Sequence, residues 1–309
     1  MKKIELIGLQ TIPEIKAGDN LAQIICDCAK NENVGINGKD IVVLTSKIVS
    51  KALGLTRKKT DVKISKKALK ISKKTGKDPI WVQMILDAGH QIILVIPLKG
   101  ALTDYITASS RQADNSRKLC DDEKVIFVTK SKSGRICTCD AGIDGSNHPA
   151  GIVSLMPEDP DAEAAKFRAE IRKITGKNIA AILADTEIVP LGTIDIAVGS
   201  AGINPCSANF GKKDKFGKSK FGGIDLIAHE ITAASALLFG QGDAGVPAVI
   251  IRGCDYEVSE TKNITNTLHF EGGHKGLMKI LKQGLKASSY AVDNPFEKIL
   301  FRIGSWIIR

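Results

Sequence analysis

Along this chain, apolar residues recur sometimes at every second position and sometimes at every third or fourth. The changes from one period to the other predict its elements. Residues 18–30 (GDNLAQIICDCAK) open on a capping-type aspartate, Asp19, and continue with apolar residues at helical spacing. Residues 37–45 (NGKDIVVLT) read as a turn feeding a buried strand that runs directly into SKIVSK. A second helix is predicted over 78–87, with Pro79 in its opening turn, a position that suits proline. Strands at 91–96 and 124–129 are separated by a polar segment, 99–123. Residues 158–173 form a strongly amphipathic helix ended at Thr175 and Gly176. Residues 178–185 read as a buried strand whose last residue is the carboxylate Asp185. A strand at 192–199, a long helix at 224–239 and a strand at 245–252 complete the core. Helices and strands mix without strict alternation, so the expected class is α+β, mixed sheets with flanking helices. No internal repeat and no clear interdomain linker interrupts the pattern.

Composition narrows this picture. With 309 residues, 43% of them hydrophobic and 25% charged, the chain reads as an ordinary globular protein able to bury a sizeable core. No run of eighteen apolar residues occurs, so no membrane-spanning helix is expected. The start, MKKIELIGLQTIPEI, meets Glu5 and Pro13 before any long apolar stretch, which argues against a signal peptide. Seven cysteines, an odd number, do not form a secreted disulfide framework. A cytoplasmic protein with reduced thiols is the reading.

The net charge of +10 raises nucleic acid as a partner. Much of the excess lies in residues 57–77, where lysines interleave with Val62, Ile64, Ala68, Leu69 and Ile71. That spacing predicts a strand end followed by an amphipathic helix with a lysine-rich solvated face. Aromatic residues make up only 5% of the chain and no stacking platform or recognised binding motif accompanies the patch, so no nucleic-acid partner is expected.

Four short stretches carry the candidate chemistry. IPEI (12–15) reads as an exposed turn before a helix. TSKIVSK (45–51) puts a hydroxyl and two ammonium groups at a strand end, suited to phosphate oxygens, although taken singly Lys47 and Lys51 read better as a solvated helix face. DAGIDGSN (140–147) is a turn sequence that also holds hard oxygen ligands of the kind Mg²⁺ or Mn²⁺ accepts. LADT (183–186) ends a hydrophobic strand on a carboxylate and a hydroxyl, an arrangement that can hold a metal bridging to phosphate. Other pairs read as structural. Cys137 and Cys139 beside His148 lack zinc-site spacing, Cys26 and Cys28 cannot share a helix face, and His269 and His274 flank a turn.

Taken in order, IPEI, GDNL, VLTSKIVSK, TGKDP, DAGID-x-SN, ADT, DIAVGSAGI, HEITAASALLFGQ and GVPAVIIRG resemble the coenzyme F420-0:γ-glutamyl ligase family, from about Ile12 to Gly253. Any one block is weak, and the shared order is the strong signal. The resemblance implies a family-type fold of two intertwined lobes, with a ligase core over 1–254 and a C-terminal extension, 255–309, docked on it. It implies a homodimer that uses GTP, L-glutamate and a pair of Mg²⁺ or Mn²⁺ ions, with K⁺ as a further candidate. The implied reaction phosphorylates a small cofactor-like acid acceptor to an acyl phosphate, which the glutamate amine attacks. It implies nucleotide contacts at Ile12, Pro13, Glu14, Ile15, Ser46, Lys47, Lys51 and Asn147, and metal ligands at Asp144, Asp185, Thr186 and Gln241. Asp140 stands where the family has Asn and is left out of that set.

Departures from the pattern set further expectations. After Asp185-Thr186 the family continues through Gly-Arg-Pro to a second arginine. Here the stretch reads EIVPLG (187–192), with Pro190 kept and both arginines gone. Glu187 would repel an anion there, which predicts a folate-type acceptor over F420-0 unless Lys99, Arg111 or Arg117 compensates. His229 replaces an aspartate, and the segment 97–124 is longer than in the family. Residues 294–309 carry apolar residues at near-helical spacing and read as a docking helix. A nucleotide- or anion-binding homologue without turnover, and a nucleic-acid-binding protein using the lysine-rich helix, are the alternative functions.

Overall fold

The computed structural model describes residues 3–98, 118, 122–189, 192–209, 211–268 and 273–307. It divides into two compact units, Met1–Thr267 and Leu268–Arg309. Lys99, Arg111, Arg117, Cys120, Pro190 and His269, the side chain of His274 and most of the polar segment lie outside the described residues.

The first unit is built on a five-stranded sheet. In chain order its strands are β1 (Glu5–Gly8), β2 (Ile41–Thr45), β8 (Ala180–Val189), β9 (Gly192–Ala201) and β12 (Ala248–Arg252), and they lie in the order β1-β12-β2-β8-β9. Only the β2–β8 pair is parallel; β1–β12, β12–β2 and β8–β9 are antiparallel. Val42, Leu44, Ala181, Leu183, Ala248 and Ile250 point to a core shared with helices α1 (Leu21–Asn31) and α5 (Pro160–Thr175). Their alternates Ile41, Val43, Ala180, Ile182, Val249 and Ile251 are buried as well. Helix α6 (Ile227–Phe239) packs on β1, β9 and β12. Burial on both faces is the reason these strands read as unbroken apolar runs.

A second core gathers under a three-stranded sheet, β4 (Gln91–Pro97), β5 (Val125–Lys130) and β6 (Ile136–Cys137). Helices α3 (Lys66–Thr75) and α4 (Pro79–Asp87) supply Ala68, Val82, Met84 and Ile85 against Val125 and Phe127. The short ribbon of β3 (Thr56–Lys58) and β7 (Ile152–Ser154) adds Val153. Ser65 caps α3 through the Ala68 N–H, and Gly76 ends it in the left-handed conformation.

Several predicted boundaries move. The cap of α1 is Asn20, which accepts from the Gln23 N–H, while Asp19 accepts from the Lys16 N–H instead. Strand β8 does not end at Asp185 but continues to Val189, and its hairpin partner β9 follows at Gly192. Helix α6 starts at Ile227, because Ile224 and Asp225 pair with Ser207 and Ala208 as a small ribbon, β10 (Ser207–Ala208) with β11 (Ile224–Asp225). Lys77 is no surface cation. Its side chain is 1% exposed, and Nζ donates to Asp140 at 2.6 Å, Glu123 at 2.9 Å and the Val125 carbonyl at 3.1 Å. The rest of the α3 lysine face is solvated, as the spacing predicted.

A short helix, α7 (Ile264–Leu268), runs across the boundary between the units after Thr267. The second unit is a helical hairpin, α8 (Gly273–Ala291) and α9 (Pro295–Ile307). Leu285 of α8 approaches Gly304 of α9, and the Arg302 guanidinium lies 5.8 Å from the Tyr290 ring centre. Helix α9 exposes Phe296, Ile299, Leu300, Ile303, Trp306 and Ile307. Among the described residues no helix is long and apolar enough to cross a membrane.

Candidate active site

The parallel register of β2 and β8 pairs Thr45 with Ala184. The next residue on each strand is therefore a neighbour of the other. Ser46, the first residue of helix α2 (Ser46–Ala52), donates from Oγ to Asp185 Oδ1 at 2.9 Å. Helical spacing then puts Lys47 and Lys51 one turn apart. Neither is a solvated surface lysine. Lys47 Nζ meets Asp144 Oδ2 at 2.8 Å and Ser146 Oγ at 2.5 Å. Lys51 is buried, with Nζ 2.5 Å from Glu14 and 3.0 Å from the Asn147 carbonyl.

The DAGIDGSN segment reaches this place by an unusual backbone path. Asp140, Ala141 and Gly142 all have positive φ, at 46°, 63° and 69°. Gly142 is needed for a second reason, because a Cβ there would lie 2.9 Å from Met156 Cε and 3.2 Å from Asp185 Oδ2. Asp140 faces inward, accepting from Lys77 and from the Phe127 N–H at 2.9 Å, and so anchors the turn. Asp144 exchanges backbone hydrogen bonds with Ser154, which fixes its carboxylate beside Lys47. Asn147, with φ at 52°, reaches across to the Gly242 carbonyl at 3.2 Å.

These contacts enclose a cavity of about 350 Å³ lined by all twelve residues singled out from the sequence. Ile12–Ile15 form one wall, where Glu14 is exposed and Ile15 is buried in the main core, so this stretch is only in part an exposed turn. Gly240, Gly242, Asp243 and Gly245 close another wall. Among the lining residues that the sequence reading did not single out is a buried carboxylate, Asp195. Asp195 of β9 pairs across the hairpin with Thr186, whose Oγ1 donates to Asp195 Oδ1 at 2.7 Å. Gln241 Nε2 donates to the same oxygen at 3.2 Å. The DIAVG block contained this residue, but only the strand register shows what it faces.

The electrostatics divide the carboxylates. Burial, reinforced by the nearby Glu187, pushes the Asp185 carboxyl up to about 7 against the opposing Ser46 bond. Burial also works on Asp144, but the hydrogen bond and charge of Lys47 outweigh it and hold that carboxyl below its ordinary value. Burial and the charges of Lys51 and Lys47 keep the His148 imidazole neutral further into acid than usual, and its Nε2 has no hydrogen-bond partner among the described residues. Glu187 is not where the loop reading put it. It is a buried strand residue that accepts from the Thr138 N–H and Oγ1, each at 2.5 Å, and it does not line the cavity. His229 accepts from the Ala197 N–H at 3.2 Å and belongs to the packing of α6 on β9.

Asp144, Asp185, Thr186 and Gln241 offer hard oxygen donors around one space, a set that suits Mg²⁺ or Mn²⁺. Among the described residues no three acidic, imidazole or thiol groups converge as a preassembled metal cluster. The fit is therefore to a cation that keeps waters or takes ligand oxygens. A buried carboxyl with a raised pKa beside other acids is the kind of place where such a charge is stabilising.

The sequence profile described as F420-0:Gamma-glutamyl ligase matches residues 10–253. The chain belongs to this family. Its relatives include the coenzyme F420:L-glutamate ligase of Methanosarcina mazei, 32% identical over 92% of this chain and 97% of that one. The namesake from Methanothermobacter thermautotrophicus is 34% identical over 89% and 96%. That from Methanocaldococcus jannaschii is 33% identical over 82% and 89%. Family membership makes the chain a ligase that forms carbon–nitrogen bonds, and the fold is the α+β arrangement expected of it.

Proposed function

We propose that this enzyme joins L-glutamate to coenzyme F420-0 or a closely similar acid, using GTP and Mg²⁺ or Mn²⁺ and acting as a homodimer. The observation that carries the reading is the convergence of Ser46, Lys47, Lys51, Asp144, Asn147, Asp185, Thr186 and Gln241 on one cavity from four separate stretches of chain. Such a combination of ammonium groups, hydroxyls and carboxylates suits a nucleotide phosphate better than an apolar ligand.

In this reading an oxygen of the acceptor carboxylate attacks the γ-phosphorus of GTP, the bond to the bridging oxygen breaks and GDP leaves. The glutamate amine then attacks the acyl carbon and phosphate departs with the transferred oxygen, leaving the amide. The linkage is γ where the acceptor already ends in glutamate. Each lysine ammonium has three N–H donors. Lys47 uses two on Asp144 and Ser146, and Lys51 uses two on Glu14 and Asn147, so one from each can turn to a phosphate oxygen. Both are held as point charges where negative charge is transferred. Asp144, Asp185, Thr186 and Gln241 would hold the divalent ions, which supply charge neutralisation on the phosphoryl oxygens when bound.

Glu187 is bonded to Thr138 within β8 and does not line the cavity, so it makes no direct contact with an acceptor there, and the case for folates rests on the missing arginines. The test is GDP release with L-glutamate and Mn²⁺ or Mg²⁺ over a panel of F420-0 and folates. Turnover is expected with F420-0; turnover with folates alone would move the proposal to a pterin acceptor.

A further inference from the structure

The contacts of Asp195 point beyond the residues assigned so far. One of its carboxylate oxygens accepts from both Thr186 Oγ1 and Gln241 Nε2, and the residue is 5% exposed on the cavity wall. An ionised carboxylate only accepts hydrogen bonds. Opposite it, the Thr186 hydroxyl must spend its single proton on Asp195, and its lone pairs are left for the cavity. The Gln241 amide must turn its NH₂ to Asp195, which sends its carbonyl oxygen the other way. The oxygen and nitrogen of an amide are ordinarily interchangeable by rotation, so only a partner of fixed polarity dictates which one faces a ligand.

We propose that Asp195 is a positioning residue that sets the hydrogen-bond polarity of Thr186 and Gln241, so that both present oxygen rather than hydrogen to a cation. The inference rests on the metal reading given above. Its logic is that of outer-shell groups at metal sites, which orient ligands without touching the ion. The bland reading is a cross-strand Thr–Asp pair that only stabilises the β8–β9 hairpin. The two differ in what a change of polarity does to ion binding.

The probe is Mn²⁺ alone, titrated into the full-length protein and followed by loss of the free-ion EPR signal, with folding checked by urea unfolding. Asp195→Ala is expected to weaken Mn²⁺ binding by about 10–100-fold. Asp195→Asn keeps an acceptor oxygen for both partners and is expected to retain most of the affinity. In a double-mutant cycle, Thr186→Val with Asp195→Ala should lose less than the two single losses combined, because both remove the same oriented oxygen. If Asp195→Ala does not fold, Asp195→Ser replaces it, since a hydroxyl both donates and accepts and no longer dictates polarity; the same weakening is expected. Unchanged Mn²⁺ affinity in a folded Ala or Ser variant overturns the proposal. So does an Asn variant as weak as the Ala one, which would make charge and not polarity the cause. No Mn²⁺ binding by the unsubstituted protein would instead overturn the metal reading itself, and this inference with it.

Discussion

Lys77 and Asp140 show what a single buried pair does for this site. Burial disfavours the ammonium, yet Asp140 and Glu123 outweigh it and hold Lys77 more firmly charged than in water. Removing one partner leaves the other charge uncompensated, so Lys77→Met should cost about 3–5 kcal/mol of stability in urea unfolding. The double variant Lys77→Met/Asp140→Leu should recover part of that loss; a single variant as stable as the parent would contradict the account. His90 gives the pH dependence. Burial and then the charge of Arg135 push its imidazole down to about 4, from an ordinary value near 6.5. The unfolded chain therefore binds the extra proton first, and the His90 contribution is lost as pH falls from about 6.5 towards 4. Replacing it, as His90→Gln, should flatten that part of the urea-midpoint profile between pH 7 and 5. Lys47, Lys51, Asp144 and Asp185 were legible because their blocks fall in a recognisable order. Lys77 and Asp195 were not, since a lysine in a lysine-rich stretch and an aspartate in an alternating strand look solvated until the tertiary partner is known.

At the scale of elements, the turn at 140–142 and the β8–β9 hairpin carry the site. A methyl group at Gly142 would meet Met156 and Asp185 and would also force a positive φ on a residue with a side chain. Gly142→Ala is expected to lose roughly 1–3 kcal/mol of stability, together with most GDP release because Asp185 is displaced. A variant with parental kcat would show that the turn does not support Asp185. Strands β2, β4, β5, β8, β9 and β12 were readable from apolar runs, α4 from its opening proline and α5 from its amphipathic spacing and the Gly176 stop. The ends were less so. Asp185 looked like the end of a strand because carboxylates are rarely buried, whereas β8 carries Asp185 and Glu187 inward, where Ser46 and Thr138 receive them. Those donors lie 139 and 49 residues away in the chain, beyond any local pattern.

For the whole molecule, every strand and both cores among the described residues lie within Met1–Thr267. A chain truncated after Thr267 is therefore expected to keep a cooperative urea transition, with its helical circular-dichroism signal lowered only by the loss of α8 and α9; loss of cooperativity would mean that the helical hairpin is part of the fold. The apolar residues of α9 also make the full-length protein the form to test for self-association, by sedimentation at several concentrations. The central claim is an acyl-phosphate ligase, and isotope transfer tests it most directly. F420-0 labelled with ¹⁸O in its carboxylate is incubated with GTP, L-glutamate and Mn²⁺, and the released phosphate is weighed by mass spectrometry. The account predicts one ¹⁸O in phosphate for every amide formed. Phosphate without label, or GDP release with no glutamate joined to the acceptor, would contradict it.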